Sequence, residues 1–270
     1  MQAELKQGTY HLSLSELAGE ALLSFKPINS IHQHFYAFHV YSHDQTCSVE
    51  AHHFCTHVSA DLHQYVIYDS YEPRAKLIGI EYIVSEKVFK NLPSEEKRYW
   101  HSHKYEIESG LLQLMAKGAV PNVVTDIAEH PAMLELQQTY GKTIHTWAID
   151  STPELPLGPR NLMMSFTYNN PHDPSIVRER DERYGIATDA MRDSRKKYLP
   201  SYELVDGVDN WEKTGKAIVF KAAESLVQVH IYRPMLYLLV EMQAIVLLIH
   251  STCGWIVRKP HDLIFLTNCA

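Results

Sequence analysis

Val49-Glu50-Ala51-His52-His53-Phe54-Cys55-Thr56-His57, Gln64-Tyr65-Val66-Ile67-Tyr68-Asp69-Ser70 and Leu77-Ile78-Gly79-Ile80-Glu81-Tyr82-Ile83-Val84 are three short runs separated by polar breaks. They are rich in β-branched and aromatic side chains, which fit a half-buried pleated surface, so they read as neighbouring β-strands. Lys142 to Asp150, Asn161 to Tyr168 and His101 to Met115 have the same character. Ser94, followed by Glu95 and Glu96, starts a short helix, with acids at the positive end of its dipole. Pro121 to Glu129 and Pro131 to Tyr140 read as two helical pieces, the second opened by Pro131 and stopped at Gly141. About five or six strands with helices inserted between them predict an α+β fold, mainly antiparallel, in a single main domain. No glycine fingerprint joins a strand to a helix, which disfavours a dinucleotide-binding sheet.

The composition narrows the function classes. The chain has 270 residues with a formal charge of 25 − 32 = −7, so it lacks the basic balance of a nucleic-acid binder. Its hydrophobic fraction of 45% against 21% charged is that of a chain that buries a core. Four cysteines without framework spacing argue against a stapled secreted scaffold. Met1 to Gly19 carries scattered charges rather than a compact apolar run, and Thr267-Asn268-Cys269-Ala270 is no lipidation box, so the expected compartment is the cytoplasm. Residues 1–25 form a polar lead-in with an amphipathic helix over Leu12–Leu23, residues 26–215 the α+β domain, and residues 216–270 an apolar tail. Within the domain, twelve charges in the twenty residues Arg178 to Lys197 predict a solvated helical face laced with ion pairs.

The 17 histidines are the unusual feature. Ile31 to Asp44 holds four of them. As a helix this stretch aligns His32, Tyr36, His39 and His43; as a strand it aligns His39, Tyr41 and His43. In the next run His53, Cys55 and His57 share one strand face, and Glu50 and His52 the other. His101 and His103 share a third. Neutral imidazole is the commonest ligand for divalent transition metals, which need three or four converging donors. His39, His43, His53, His57, His101 and His103 are therefore the candidate metal ligands, with His34, His52, Glu50 and Glu106 as secondary candidates. The bland alternative is a satisfied polar network of buried His and Tyr. No H-E-x-x-H is present, Gly141-Lys142-Thr143 lacks the upstream glycine of a phosphate loop, and no G-x-S-x-G elbow occurs. Cys55 between two histidines reads as a buried structural thiol before it reads as a nucleophile.

Pro234 to Val257 carries one formal charge, Glu241, in 24 residues. Roughly eleven Leu, Ile and Val residues favour insertion by about 0.3–0.6 kcal/mol each, against about 2.5–3.5 kcal/mol for the central acid. Gln243 and His250 make insertion marginal, so the first reading is a buried or loosely packed tail, ahead of a membrane or lipid-surface anchor and of an end with no defined role. Where the segment meets lipid, the balance predicts weak, reversible contact rather than a stable span.

Ala37-Phe38-His39-Val40-Tyr41-Ser42-His43-Asp44, Ser48 to His57, Ile67-Tyr68-Asp69-Ser70, Leu77 to Ser85 and Tyr99-Trp100-His101-Ser102-His103-Lys104-Tyr105-Glu106 occur in that order. Tyr140-Gly141-Lys142-Thr143, Leu155-Pro156-Leu157-Gly158, Leu162 to Thr167 and Arg180-Asp181-Glu182-Arg183-Tyr184-Gly185 follow. Over Lys26 to Trp211 this series resembles the oil body-associated protein family. The resemblance implies a cytoplasmic protein at the lipid-droplet surface that contributes to droplet stability. It carries over no reaction and no catalytic residues. From about Lys221 the chain departs from the family's polar, charged ending. The rival reading from the residues is a histidine-rich metal-binding protein or metal-dependent enzyme with a small-molecule substrate.

Overall fold

A computed structural model describes residues 13–115 and 122–227. Two short helices, α1 (Leu14–Leu22) and α2 (Lys26–Asn29), lead into β1 (Gln33–Tyr41), which turns at Ser42 and His43 into β2 (Asp44–Ser59). Strands β3 (Leu62–Tyr68) and β4 (Leu77–Ser85) follow, then helices α3 (Glu86–Lys90) and α4 (Ser94–Lys97). A two-residue β5 (His101–Ser102), α5 (Lys104–Glu108), β6 (Gln113–Leu114) and α6 (Asn122–Leu136) come next. The chain continues through β7 (Thr139–His145), β8 (Asn161–Met164), α7 (Pro174–Tyr184), α8 (Thr188–Arg195) and α9 (Asn210–Thr214). This is an α+β fold with an antiparallel sheet.

The sheet closes on itself. β1 pairs with β2, β2 with β3, β3 with β4, β4 with β7, β7 with β8, and β8 returns to β1, each pair antiparallel. Closure leaves the six strands no free edges, and alternation points every second side chain inward, where a barrel this narrow is filled by side chains. Phe35, Ala37, Cys55, Tyr65 and Ile83 fill one end, where Ala132, Met133 and Leu136 of α6 pack against them. Tyr41, Val49, Ala51, Ile67, Ile78 and Met163 fill the other. On the outer wall, Tyr36, Phe38 and Val40 of β1 and Leu162 and Met164 of β8 are covered by Val177 of α7 and Phe166.

Several sequence expectations are corrected by this packing. Ile31 to Asp44, compatible with either helix or strand, is strand, because β1 pairs with β2 along its whole length. His101 to Met115 is two short strands around α5, whose Tyr105, Glu106 and Ile107 are buried. The two helical pieces around Pro131 are one helix that runs through the proline. An internal proline costs about 3 kcal/mol, which burying Met133 and Leu136 offsets at roughly 1.5–3 kcal/mol each. Gly141 ends no helix; it lies inside β7. The charged stretch Arg178 to Lys197 is helical, yet Arg180 and Arg195 are fully buried. Arg195 donates to Glu129 Oε1 at 2.7 Å and to the carbonyls of Ile107 and Leu112 at 2.9 and 2.8 Å. Arg180 donates to the Leu111 carbonyl at 2.9 Å and to the Thr188 hydroxyl. The two guanidinium groups thus satisfy carbonyls at the end of α5 and just beyond it, which a helix end otherwise leaves unpaired.

The compact unit runs to Ala222, and residues 223–227 of the following unit are described. The apolar segment Pro234–Val257 lies outside the described residues. Among the described residues no helix is long and apolar enough to cross a membrane.

Arg195→Ala should lower unfolding stability by about 3–5 kcal/mol, because it strands Glu129 as a buried unpaired charge. Arg195→Met with Glu129→Gln should recover part of that loss in urea melts. Equal stability of the single and double variants would remove the ion pair from the account.

Candidate metal centre

Between the two apolar ends of the barrel lies a polar layer. Reading along the inward faces, β1 contributes His39 between Ala37 and Tyr41, β2 contributes His53 between Ala51 and Cys55, and β4 contributes Glu81. β7 adds Thr143 and His145, both fully buried. His101 and His103 arrive from outside the barrel strands. β5 pairs with β7 so that His101 stands opposite Gly141, and Gly141 is the opening through which the ring enters. A Cβ there would lie 2.3 Å from Glu81 Oε1 and 2.7 Å from His101 Nε2. Asp209 anchors this segment, accepting from the Ser102 hydroxyl at 2.6 Å, between the two histidines.

The donor atoms converge on one carboxylate. His53 Nε2 is 3.5 Å from Glu81 Oε2; His101 Nε2 and His103 Nε2 are 3.2 and 3.5 Å from Oε1. His39 Nε2 is 3.0 Å from His53 Nε2. Ligands at about 2.0–2.2 Å from one ion stand roughly 3.0–3.5 Å apart from their neighbours, which is the spacing found here. The ring orientations fit too. Thr139 Oγ1 spends its proton on the Leu136 carbonyl at 2.8 Å, so the 3.0 Å bond to His103 Nδ1 is donated by the imidazole. That leaves Nε2 as the ring nitrogen that faces Glu81. His39 Nδ1 meets His145 Nε2 at 3.0 Å in the same supporting way. Such outer partners fix which nitrogen a ligand presents.

Burial governs the electrostatics of the layer. Burial holds His39, His53 and His101 below the usual histidine range, and pushes His145 down to about 3. Burial pushes Glu106 well above the carboxylate range, reinforced by Glu81 and Asp209, and one of its oxygens has no hydrogen-bond partner. Burial alone would raise Glu81 as well. Hydrogen bonding from His101 and His103 outweighs it and holds Glu81 well below its usual range. Among the described residues the ion-pair partners of Glu81 are histidines, with no lysine or arginine. An ionised carboxylate buried among neutral rings costs several kcal/mol unless a positive centre joins it. The adjoining cavity, about 10 Å³, is lined by His39, His53, Glu81, His103 and Glu106 together with Tyr65 and apolar side chains, and its size suits an ion or a water.

The remaining candidates from the sequence lie elsewhere. His43 is exposed in the β1–β2 turn. His57 keeps the inward parity of His53 but sits at the exposed rim, 3.2 Å from Gln33 Oε1. His34 and His52 are on the outer wall, bonded to each other at 3.0 Å, and Glu50 there pairs with Arg183. Glu106 does lie in the polar layer. Sequence reasoning missed Glu81, His145 and Thr139. Glu81 had a signal, a single charge inside an otherwise apolar strand; His145, alone on its strand, had none.

Residues 25–199 match a family described as "Protein of unknown function (DUF1264)". Oil body-associated protein 1B of Arabidopsis thaliana is 42% identical over 199 residues, covering 74% of this chain and 78% of the relative. The chain belongs to the oil body-associated protein family. Other family members include oil body-associated protein 2B of Arabidopsis thaliana, 40% identical over 77% of this chain and 82% of its own length. Oil body-associated protein 1A of Zea mays is 39% identical over 68% and 74% respectively. The family match contains all eight strands of the described residues and every donor of the polar layer, and leaves out Asp209 and the apolar segment. No solved structure matches the chain.

Burial also holds His34 and His52 at about 4 and about 3. With ordinary values near 6.5 in the unfolded chain, the unfolded state binds more protons below that pH, so stability falls as the pH drops from about 6.5 toward 4. The metal-free protein should lose Tm between pH 7 and pH 5, and His52→Gln should lose less over that interval. Parallel profiles for the two would exclude this pair as a source of acid sensitivity.

Proposed function

We propose that this protein works at the oil-body surface and that its barrel holds one divalent transition-metal ion between His39, His53, His101, His103 and Glu81. The observation carrying the metal reading is the Glu81 carboxylate, which faces three imidazole nitrogens at 3.2–3.5 Å inside a sealed barrel. A set of four nitrogens and one carboxylate suits zinc, iron, nickel, copper or manganese in preference to calcium. Purified full-length protein should carry close to one equivalent of metal. At a thousand times its Kd the ion stabilises the fold by about 4 kcal/mol, a rise in Tm of roughly 10 °C for a domain of this size. His53→Asn and His101→Asn should abolish most of that rise. A chelated protein whose Tm ignores every one of these ions would defeat the reading.

The oil-body reading rests on the names of the relatives, and on an apolar segment that supplies a means of attachment. Pro234 to Val257 binds the droplet monolayer weakly, with Glu241 kept near the headgroups, while the acidic balance of the chain gives little pull toward anionic lipid. Leu247→Glu with Leu248→Glu should release the protein from isolated oil bodies in flotation assays and leave the barrel's melting transition in place. Undiminished flotation would move the lipid contact to the barrel itself, whose outer wall carries the half-exposed row Phe54, Val66 and Ile80 in direct register.

A further inference from the structure

At the rim of the barrel a second set of donors stands apart from the Glu81 layer. Cys55, His57 and His63 place their ligand atoms within 4.8 Å of one another. Antiparallel pairing brings them there, since His57 is the direct partner of His63 and Cys55 lies two residues further in on the same face of β2. The His57 and His63 rings stack at 3.8 Å, 12° from parallel, so a turn of the exposed His57 ring is what brings both Nδ1 lone pairs onto one ion.

Their outer nitrogens are already occupied. His63 Nε2 meets Glu135 Oε1 at 3.2 Å, and His57 Nε2 meets Gln33 Oε1 at 3.2 Å. Both partners are oxygen acceptors, so each ring donates from Nε2 and Nδ1 is the nitrogen left to face an ion. His63 is 3% exposed, and its Nδ1 is buried without a hydrogen-bond partner. A carboxylate on the far nitrogen of an imidazole is the usual support of a metal-bound histidine. An unpaired buried nitrogen beside a buried thiol is otherwise a net cost.

We propose that Cys55, His57 and His63 form a second metal site at the barrel rim, for a thiophilic or borderline ion such as Zn²⁺, Co²⁺ or Cu⁺. A sulfur and two imidazoles are the donors such ions prefer, and three protein ligands leave a fourth position open. Binding converts the Cys55 thiol to a thiolate and releases its proton to solvent. The site shares no ligand with the Glu81 layer and does not depend on that layer holding metal.

Cobalt separates the two sites, because thiolate bound to Co²⁺ gives a near-ultraviolet charge-transfer band that imidazole and carboxylate do not. Full-length, fully reduced protein titrated with Co²⁺ alone should develop this band. Cys55→Ser should lose it, Cys47→Ser should retain it, and His101→Asn, which strikes only the Glu81 layer, should retain it too. His57→Ala, altering an exposed side chain, should weaken the band's apparent affinity at least about tenfold without changing the melting transition. It decides the matter if Cys55→Ser fails to fold. No band in the wild type, or a band that persists in Cys55→Ser or at full affinity in His57→Ala, would overturn the rim site.

Discussion

Glu81 is a carboxylate buried inside a closed barrel, and among the described residues no lysine or arginine pairs with it. Everything around it follows from the need to offset that charge. Apolar side chains fill both ends of the barrel and lower the local dielectric, which makes an uncompensated charge more costly and a well-placed counter-charge more effective. The imidazoles of His39, His53, His101 and His103 are the groups brought up to it, and Thr139 and His145 in turn aim two of those rings.

The construction depends on absences as much as on contacts. Gly141 is where β7 gives up a side chain so that His101 can reach Glu81 through the wall. Gly79 does the same opposite His145, where a Cβ would stand 2.8 Å from that ring's Cδ2. Outside the wall, α5 begins beside His103, and its C-terminal carbonyls are held by the buried guanidinium of Arg195, with Arg180 on the next turn. These bonds brace a helix that is too short to be stable by itself.

A sealed ion site and a lipid-surface protein are compatible roles, because they use different parts of the chain. The family match covers the barrel and stops before the apolar segment, so the interior chemistry belongs to the shared domain. The proposed attachment through Pro234 to Val257 uses residues outside that match. The two proposed sites each take donors from one face of β2, with His57 at the rim, Cys55 next and His53 in the centre, because a single strand carries such side chains at every second residue.

The sequence by itself determined what depends on local pattern. Val49 to His57, Gln64 to Ser70 and Leu77 to Val84 are β2, β3 and β4 because alternation and branching are strand properties wherever they occur. His53 and Cys55 share a face by the same period of two, as does His57. Only the tertiary structure decided which of those faces would be inside, since closure of β8 onto β1 turns one side of every strand inward. It also decided that Glu81 and His145, each alone on its strand, would meet histidines from β1, β2 and β5, and that His43 and the pair His34–His52 would not. Convergence of His39 with a ring as distant as His145, 106 positions along the chain, is a matter of register and closure, which no local spacing encodes. The helix through Pro131 and the burial of Arg180 and Arg195 have the same origin: packing energies of several kcal/mol outweighed local preferences of equal or smaller size.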